Sequence, residues 1–292
     1  MLVLVAIVVM AAALAGVAEF MDASMQENVL VANQFRALHC AESGIAIGLN
    51  VGIKPGDPAL KQAVGNDGGF EVKISSEGAR IPINYITDSG YRDAVYNLFV
   101  YWEISPDEAN IAADSLADWV DQDSEPRSQG AEEDYYKQQG FADFPRNQGF
   151  TSVDEMIMVR GMEAVERAKP DWRDYFSIYG DGLIDLNYAP KDVLVAVCGV
   201  TETDADNLIR ERSGPDGVPG TEDDVVLTAS SAQQLLGLDA ARYSQISSRV
   251  TTDGLIRRVE STGWSGNQRY KVVVTAKRGD DGSLNYLART EE

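Results

Sequence analysis

Two stretches of this 292-residue chain concentrate carboxylate side chains in turn-prone sequence. Calcium takes six to eight oxygen ligands, mainly from carboxylates and carbonyls on flexible loops. We therefore expect at least one structural calcium ion to be bound here, although neither stretch has the EF-hand spacing. Solvated acidic loops that hold no ion are the alternative. The candidate ligands are Asp121, Asp123, Glu125, Glu132, Glu133, Asp134, Asp216, Glu222, Asp223 and Asp224.

Catalytic chemistry has little support in the sequence. The only histidine, His39, falls on a long predicted helix, where a packing or surface role is expected. Without a second histidine, no Ser/His/Asp or Cys/His arrangement can form elsewhere. No glycine-containing stretch fits the spacing of a phosphate-binding loop. The sequence therefore predicts a protein that is not an enzyme.

The charge balance argues against nucleic acid as a partner. Forty-six acidic residues against 25 basic ones give a net charge of −21, whereas phosphate binding needs a basic surface. The segment from Leu186 through Gly199 to Ile209 resembles half of a helix-hairpin-helix module, but Glu202 and Asp204 follow its turn. We interpret this segment as a structural helical hairpin that binds no DNA.

The chain opens with a long helical pattern. Residues 1–18 carry no charged side chain, and eighteen helical residues span about 27 Å, close to the hydrocarbon thickness of a bilayer. We predict a transmembrane segment over 1–18 and an amphipathic continuation over 19–52, retained rather than cleaved as a signal peptide. No proline interrupts this stretch before Pro55. The apolar stripe comprises Met21, Met25, Val29, Ala32, Phe35, Leu38, Ile45 and Leu49.

Alternating apolar residues predict strands on both sides of a helical region. One strand is expected over 70–75 and β-rich runs over 243–249, 255–264, 269–277 and 284–290. Residues 54–69 and 121–148 are expected to be loops. The predicted fold is α+β, with a long N-terminal helix packed on an antiparallel sheet built from 53–92 and 243–292. A large α-helical domain over 93–242 interrupts that sheet.

Two further features leave alternatives open. The hexapeptide that begins at Arg80 resembles the one that begins at Leu183, and each precedes helices and an Asp-rich loop. A duplication is one explanation of this similarity and chance is the other. Cys40 and Cys198 could form one disulfide or remain two buried thiols.

Several motifs in order along the chain resemble the K subunit of type II secretion systems, the large minor pseudopilin also called general secretion pathway protein K. They begin at Cys40 (CAESG), Glu77 (EGARIPIN), Leu116 (LADWVDQD), Gly130 (GAEEDYY), Phe150 (FTSVDE) and Tyr179 (YGDGLIDLNYAP). Each motif by itself is weak, but their shared order covers nearly the whole chain.

This resemblance implies a pilin-like domain with a helical insertion, placed at the tip of a short periplasmic pseudopilus. It implies the I and J minor pseudopilins and inner-membrane secretion components as partners, and calcium in the inserted domain. It also implies a single-pass inner-membrane protein whose soluble domain lies in the periplasm. The remaining alternatives are a minor pilin of a type IV pilus and a membrane-anchored extracytoplasmic binding protein or enzyme.

Overall fold

The computed structural model describes residues 1–279 and 282–291; the side chains of residues 2, 4–6, 8 and 12 are outside this description. The helices are α1 Leu2–Gly48, α2 Ser89–Tyr101, α3 Pro106–Val120, α4 Glu133–Gln138, α5 Met162–Ala168, α6 Lys191–Cys198, α7 Glu202–Arg212, α8 Ala229–Leu235 and α9 Ala240–Ile246. The strands are β1 Lys61–Val64, β2 Gly68–Ser76, β3 Ile81–Pro82, β4 Phe176–Ser177, β5 Ile184–Asp185, β6 Val250–Thr251, β7 Ile256–Ser265, β8 Gln268–Arg278 and β9 Leu284–Glu291.

The chain forms two compact units. The first comprises Met1–Lys73, Val259–Val274 and Ala288–Glu292, and the second comprises Ile74–Arg258 and Thr275–Leu287. A five-stranded sheet has the order β1-β2-β7-β8-β9, so the early strand β2 lies beside the C-terminal strands, as predicted. The α+β fold class with a long N-terminal helix on an antiparallel sheet is confirmed.

Within the first unit, two glycines let the lower half of α1 lie directly on the sheet. A β-carbon at Gly44 would lie 2.2 Å from Ser261 Oγ, and one at Gly48 would lie 2.4 Å from Val259 Cγ1. Glycine in a helix interior costs roughly 1 kcal/mol relative to alanine. The close contact with β7 accounts for that cost, because any larger side chain would push the helix off the sheet.

Across the part of the chain that the structure describes, no helix is both long enough and apolar enough to cross a membrane. The transmembrane segment predicted over 1–18 is therefore not confirmed.

The second unit is mainly helical and has a continuous apolar core. Helix α2 packs against α3 and α6, and Leu98, Leu116 and Val193 are fully buried among them. Ser105 caps α3, with Pro106 in its first turn, a position that proline favours. Two short parallel pairings, β3 with β4 and β5 with β6, tie distant segments of this unit together.

Three local predictions are wrong. Residues 54–69 are not all loop, because β1 pairs antiparallel with β2. Residues 121–148 include the short helix α4. The β-rich run predicted over 243–249 instead begins within α9, because the Asp239 side chain caps that helix by accepting a hydrogen bond from Arg242 N. In the first and third cases, strand pairing or helix capping outweighs the local pattern.

Candidate metal centre

The structure brings three of the predicted calcium ligands together in the first acidic loop, which we define as residues 121–148. Asp121, Asp123 and Glu132 each offer a carboxylate oxygen, and these oxygens lie within 4.8 Å of one another. Such a cluster of carboxylates matches the donor chemistry of a hard cation. The residues fit calcium by type and by convergence.

Two helices and one arginine position this cluster. Asp121 directly follows α3, and its amide donates to the Ala117 carbonyl at 3.0 Å. Glu132 directly precedes α4. Between them the loop folds back because the Arg127 guanidinium contacts both Asp121 and the fully buried Asp118. This reversal of the chain brings the carboxylates of Asp121 and Glu132 close together.

Glu132 is a buried carboxyl group without a hydrogen-bond partner. Its residue is only 4% exposed, and neither of its carboxylate oxygens has a hydrogen-bond partner. Burial, reinforced by the charges of Asp118, Asp121 and Asp123, raises the pKa of Glu132 to about 7. A buried carboxylate without a partner is costly, and a bound cation would remove that cost.

Asn147 is a further candidate ligand that the sequence analysis did not identify. Its Nδ2 donates to the carbonyl of Asp123 at 2.6 Å, and its Oδ1 is buried without a partner. The backbone at Asn147 has a φ of 49°, a left-handed conformation that asparagine tolerates better than most residues. Amide oxygens are ordinary calcium ligands, so Asn147 joins the candidate set. An asparagine within an acidic, turn-rich segment was the available signal.

The other candidates of the first acidic loop lie outside the cluster. Glu133 is half-exposed and pairs with Lys137 one helical turn later. Glu125 and Asp134 are exposed, and the Glu125 amide donates to Asp123 Oδ1. These three side chains remain predictions without a converging partner.

The second acidic loop, defined as residues 213–224, uses its carboxylates differently. Asp216 accepts from Val218 N, Asp223 from Asp216 N, and Asp224 from Gly220 N, at 2.7–3.0 Å. Glu222 is exposed. Hydrogen bonds from Thr221 and Asp216 lower the pKa of Asp223 below its usual value. Only Asp224 Oδ1 in this loop is buried without a partner among the described residues.

Two asparagines hold the far ends of the two acidic loops in the same way. Asn84 Oδ1 accepts from Phe150 N at 2.7 Å, and Asn84 Nδ2 donates to Phe150 O at 3.1 Å. Asn187 makes the same pair of bonds to Leu227, at 2.8 and 3.4 Å. These asparagines occupy equivalent positions in the two similar hexapeptides, which favours the duplication.

The other residues that the sequence analysis named lie on helices or at a helix end, outside the acidic cluster. His39 is 54% exposed on α1, and its Nδ1 lies 3.0 Å from Glu42 Oε2. Cys40 and Cys198 are buried free thiols, and burial raises the pKa of Cys198 to about 12. Helices α6 and α7 form the predicted hairpin, with Gly199 left-handed at a φ of 61°.

The chain thus has a long helix on an antiparallel sheet and, inserted in the sequence between strands of that sheet, a helical region that carries this acidic cluster. Residues 79–170, which include the three clustered acids and Asn147, match the family model of protein K of the type II secretion system. The resemblance to that family found in the sequence is confirmed.

Individual relatives agree with this match. The chain is 27% identical over 184 residues to type II secretion system protein K of Pseudomonas aeruginosa, covering 60% of this chain and 49% of that protein. It is 45% identical over 60 residues to the protein K of Dickeya chrysanthemi, covering 20% of this chain and 16% of that one. The chain therefore spans about half the length of the first of these relatives.

A solved structure supports the fold. A chain of the GspK-GspI-GspJ complex from the type II secretion system of enterotoxigenic Escherichia coli aligns with a TM-score of 0.66 and 14% identity. The alignment covers 93% of this chain and 99% of that chain. The likeness therefore extends over both compact units.

Proposed function

We propose that this protein is a minor pseudopilin of a type II secretion system, a structural component of the tip of the periplasmic pseudopilus. The match of residues 79–170 to the protein K family is the observation that carries this proposal. It falls on the helical insertion, the part that distinguishes this chain from a simple pilin-like fold. The role is one of assembly rather than catalysis, in keeping with the exposed, surface position of the only histidine.

The partners that we propose are the I and J minor pseudopilins. The solved structure that resembles this chain is of a complex of that composition. The N-terminal part of α1 before Arg36 provides a surface for helix packing, since the stripe residues Met21, Met25, Val29 and Phe35 are all exposed. Exposed apolar side chains in a continuous stripe mark an interaction surface, and neighbouring helices in a filament would cover it.

The apolar N-terminal part of α1 also bears on where the protein is located in the cell. We place the second unit in the periplasm and residues 1–18 of the chain, which carry no charge, at the inner membrane before the pseudopilus assembles. The family match and the run of apolar residues over 1–18 support this placement.

The assembly proposal is tested by co-purification with matched variants. The full chain in detergent should recover recombinant I and J pseudopilins, and Met25→Glu with Val29→Glu should reduce that recovery at least tenfold. The control is Glu27→Gln, which lies on the same helix and changes charge without touching the apolar stripe. Recovery of neither partner by the wild-type chain would contradict the proposal. Recovery of type IV pilins instead would favour that alternative.

We further propose that Asp121, Asp123, Glu132 and Asn147 bind one structural calcium ion. The buried oxygens without partners support this, because a hard cation would satisfy several of them at once. The ion would lock the first acidic loop against the end of α3. Its role would be to fix the shape of the insertion rather than to react.

Thermal unfolding with calcium or with a chelator tests whether this site binds the ion. Calcium at 100 times its Kd would stabilise the fold by about 2.7 kcal/mol, and a chelator would remove this. Asp123→Asn should weaken calcium binding at least tenfold, whereas Asp134→Asn, an exposed acid in the same loop, should leave it unchanged. Identical unfolding curves with calcium and with chelator would refute the site.

A further inference from the structure

A surface pocket of about 410 Å³ in the second unit lies beside the helical hairpin, and no residue of either acidic loop lines it. Its lining includes Arg242, Arg249, Gln245 and the first residues of α2. Two guanidinium groups at one pocket stand out in a chain with a net charge of −21. The assembly role and the calcium site use none of these side chains.

Arg249 is held firmly at the wall of this pocket. Its amide donates to Ile246 O at 2.8 Å, and its carbonyl accepts from Ile184 N at 2.7 Å. Its guanidinium packs onto Gly90, where a β-carbon would lie 1.4 Å from Arg249 Nη1. The Nε atom is buried and has no hydrogen-bond partner. A fixed cation with an unused donor is therefore part of the pocket wall.

The guanidinium of Arg249 lies at the N-terminal end of α2. Gly90 is in the first turn of α2, whose N-terminal end carries a partial positive charge. The capping carboxylate of Asp88 is occupied by Gly90 N at 2.8 Å. A cation packed against the positive end of a helix is stabilised by a negative group that contacts both.

The second arginine comes from α9. Arg242 Nη2 donates to the carbonyl of Gly199 at 2.9 Å, which holds the side chain at the turn of the hairpin. Gln245 follows three residues later and lies on the same face of the helix. The pocket thus combines two guanidinium forks with an amide that can hydrogen-bond to a peptide backbone.

We propose that this pocket binds a carboxylate group of a partner polypeptide. Guanidinium groups match carboxylates in geometry, and both the recognition of acidic motifs by arginine clusters and the capture of a terminal carboxylate are known modes of peptide recognition. Asp93 also lines the pocket, so the net charge of the lining favours a monoanion over a phosphate dianion. The carboxylate can come from a chain terminus or from an acidic side chain.

Binding of short peptides to the full chain in detergent, measured by calorimetry, tests this. The probes are acetyl-Gly-Gly-Gly with a free carboxylate, the same peptide amidated, and acetyl-Gly-Asp-Gly-amide. We expect the first or the third to bind at least tenfold more tightly than the second, and the tighter of the two identifies the source. Affinity should fall with added salt, because Arg242 is exposed.

Variants separate this pocket from nonspecific attraction. Arg249→Met and Arg242→Met should each reduce affinity about tenfold, while Arg210→Met, an exposed arginine on α7 that contacts Asn207, should change nothing. If Arg249→Met does not fold, Arg242→Met on the surface of α9 decides the question. Equal binding of the amidated peptide, equal loss in the Arg210 variant, or tighter binding of inorganic phosphate would overturn the proposal.

Discussion

The two acidic loops are similar in composition and differ in how their carboxylates are satisfied. In the second loop, backbone amides of the loop itself donate to Asp216, Asp223 and Asp224. In the first loop, four buried oxygens of Asp121, Glu132 and Asn147 have no partner. The second loop thus satisfies most of its carboxylate oxygens within the polypeptide, with Asp224 Oδ1 the exception, whereas the first loop leaves a group of buried oxygens that the proposed cation would satisfy.

The anchoring of the two loops sharpens this contrast because it is the same in both. Asn84 and Asn187 each make two hydrogen bonds to one backbone residue, Phe150 or Leu227, just beyond the loop. If the two regions arose by duplication, the asparagine anchors would have been kept in both copies while the loop sequences between them diverged. The difference therefore lies in the loops and not in their supports.

The largest effect is expected for Glu132→Gln, and it should change sign with calcium. Without calcium at pH 8, the wild-type chain buries an ionised carboxylate, since burial raises the pKa of Glu132 only to about 7. The neutral variant should then be more stable by about 1–3 kcal/mol. With saturating calcium, the wild type should be the more stable protein. Urea unfolding with calcium or with a chelator measures both differences.

Glu222→Gln is the matched control for this experiment, because Glu222 is an exposed acid of the second loop. Its stability should equal that of the wild type under both conditions. If Glu132→Gln destabilised the chain equally with and without calcium, the contrast between the two loops would be wrong.

An intermediate effect is expected from the two anchoring asparagines. Asn84→Ala removes two hydrogen bonds to Phe150, whereas Asn187→Ala removes two to Leu227 and a third to Thr252 O. Each substitution should destabilise the fold by about 1–2 kcal/mol. Only Asn84→Ala should also weaken calcium binding, because Phe150 follows Asn147 by three residues. Calorimetric titration of both variants measures this. Equal calcium affinities would show that the anchor and the metal cluster are independent.

The sequence allowed some of this contrast to be predicted. Spacing near 3.6 predicted α1, and alternation predicted β2, β7 and β8, because these patterns follow from burial of one face. The acidic loops were evident from composition. Which carboxylates converge was not evident, because Glu132 is brought to Asp121 by the contact of Arg127 with Asp118, a tertiary contact. The helical structure of α9 was not evident from the sequence either, because the Asp239 cap outweighs the local β-rich pattern.

The smallest effect is expected in the second loop. Hydrogen bonds from Thr221 and Asp216 lower the pKa of Asp223, so its contribution to stability is present above its unfolded pKa and is lost as the pH falls through the lower, folded value. Asp223→Asn should therefore cause a small decrease in Tm at pH 7 that disappears in strong acid, because the side chain is solvent-accessible and water screens its bonds. Calcium should shift the Tm of this variant as much as that of the wild type. A loss of the calcium response would mean that both loops, and not the first alone, bind the ion.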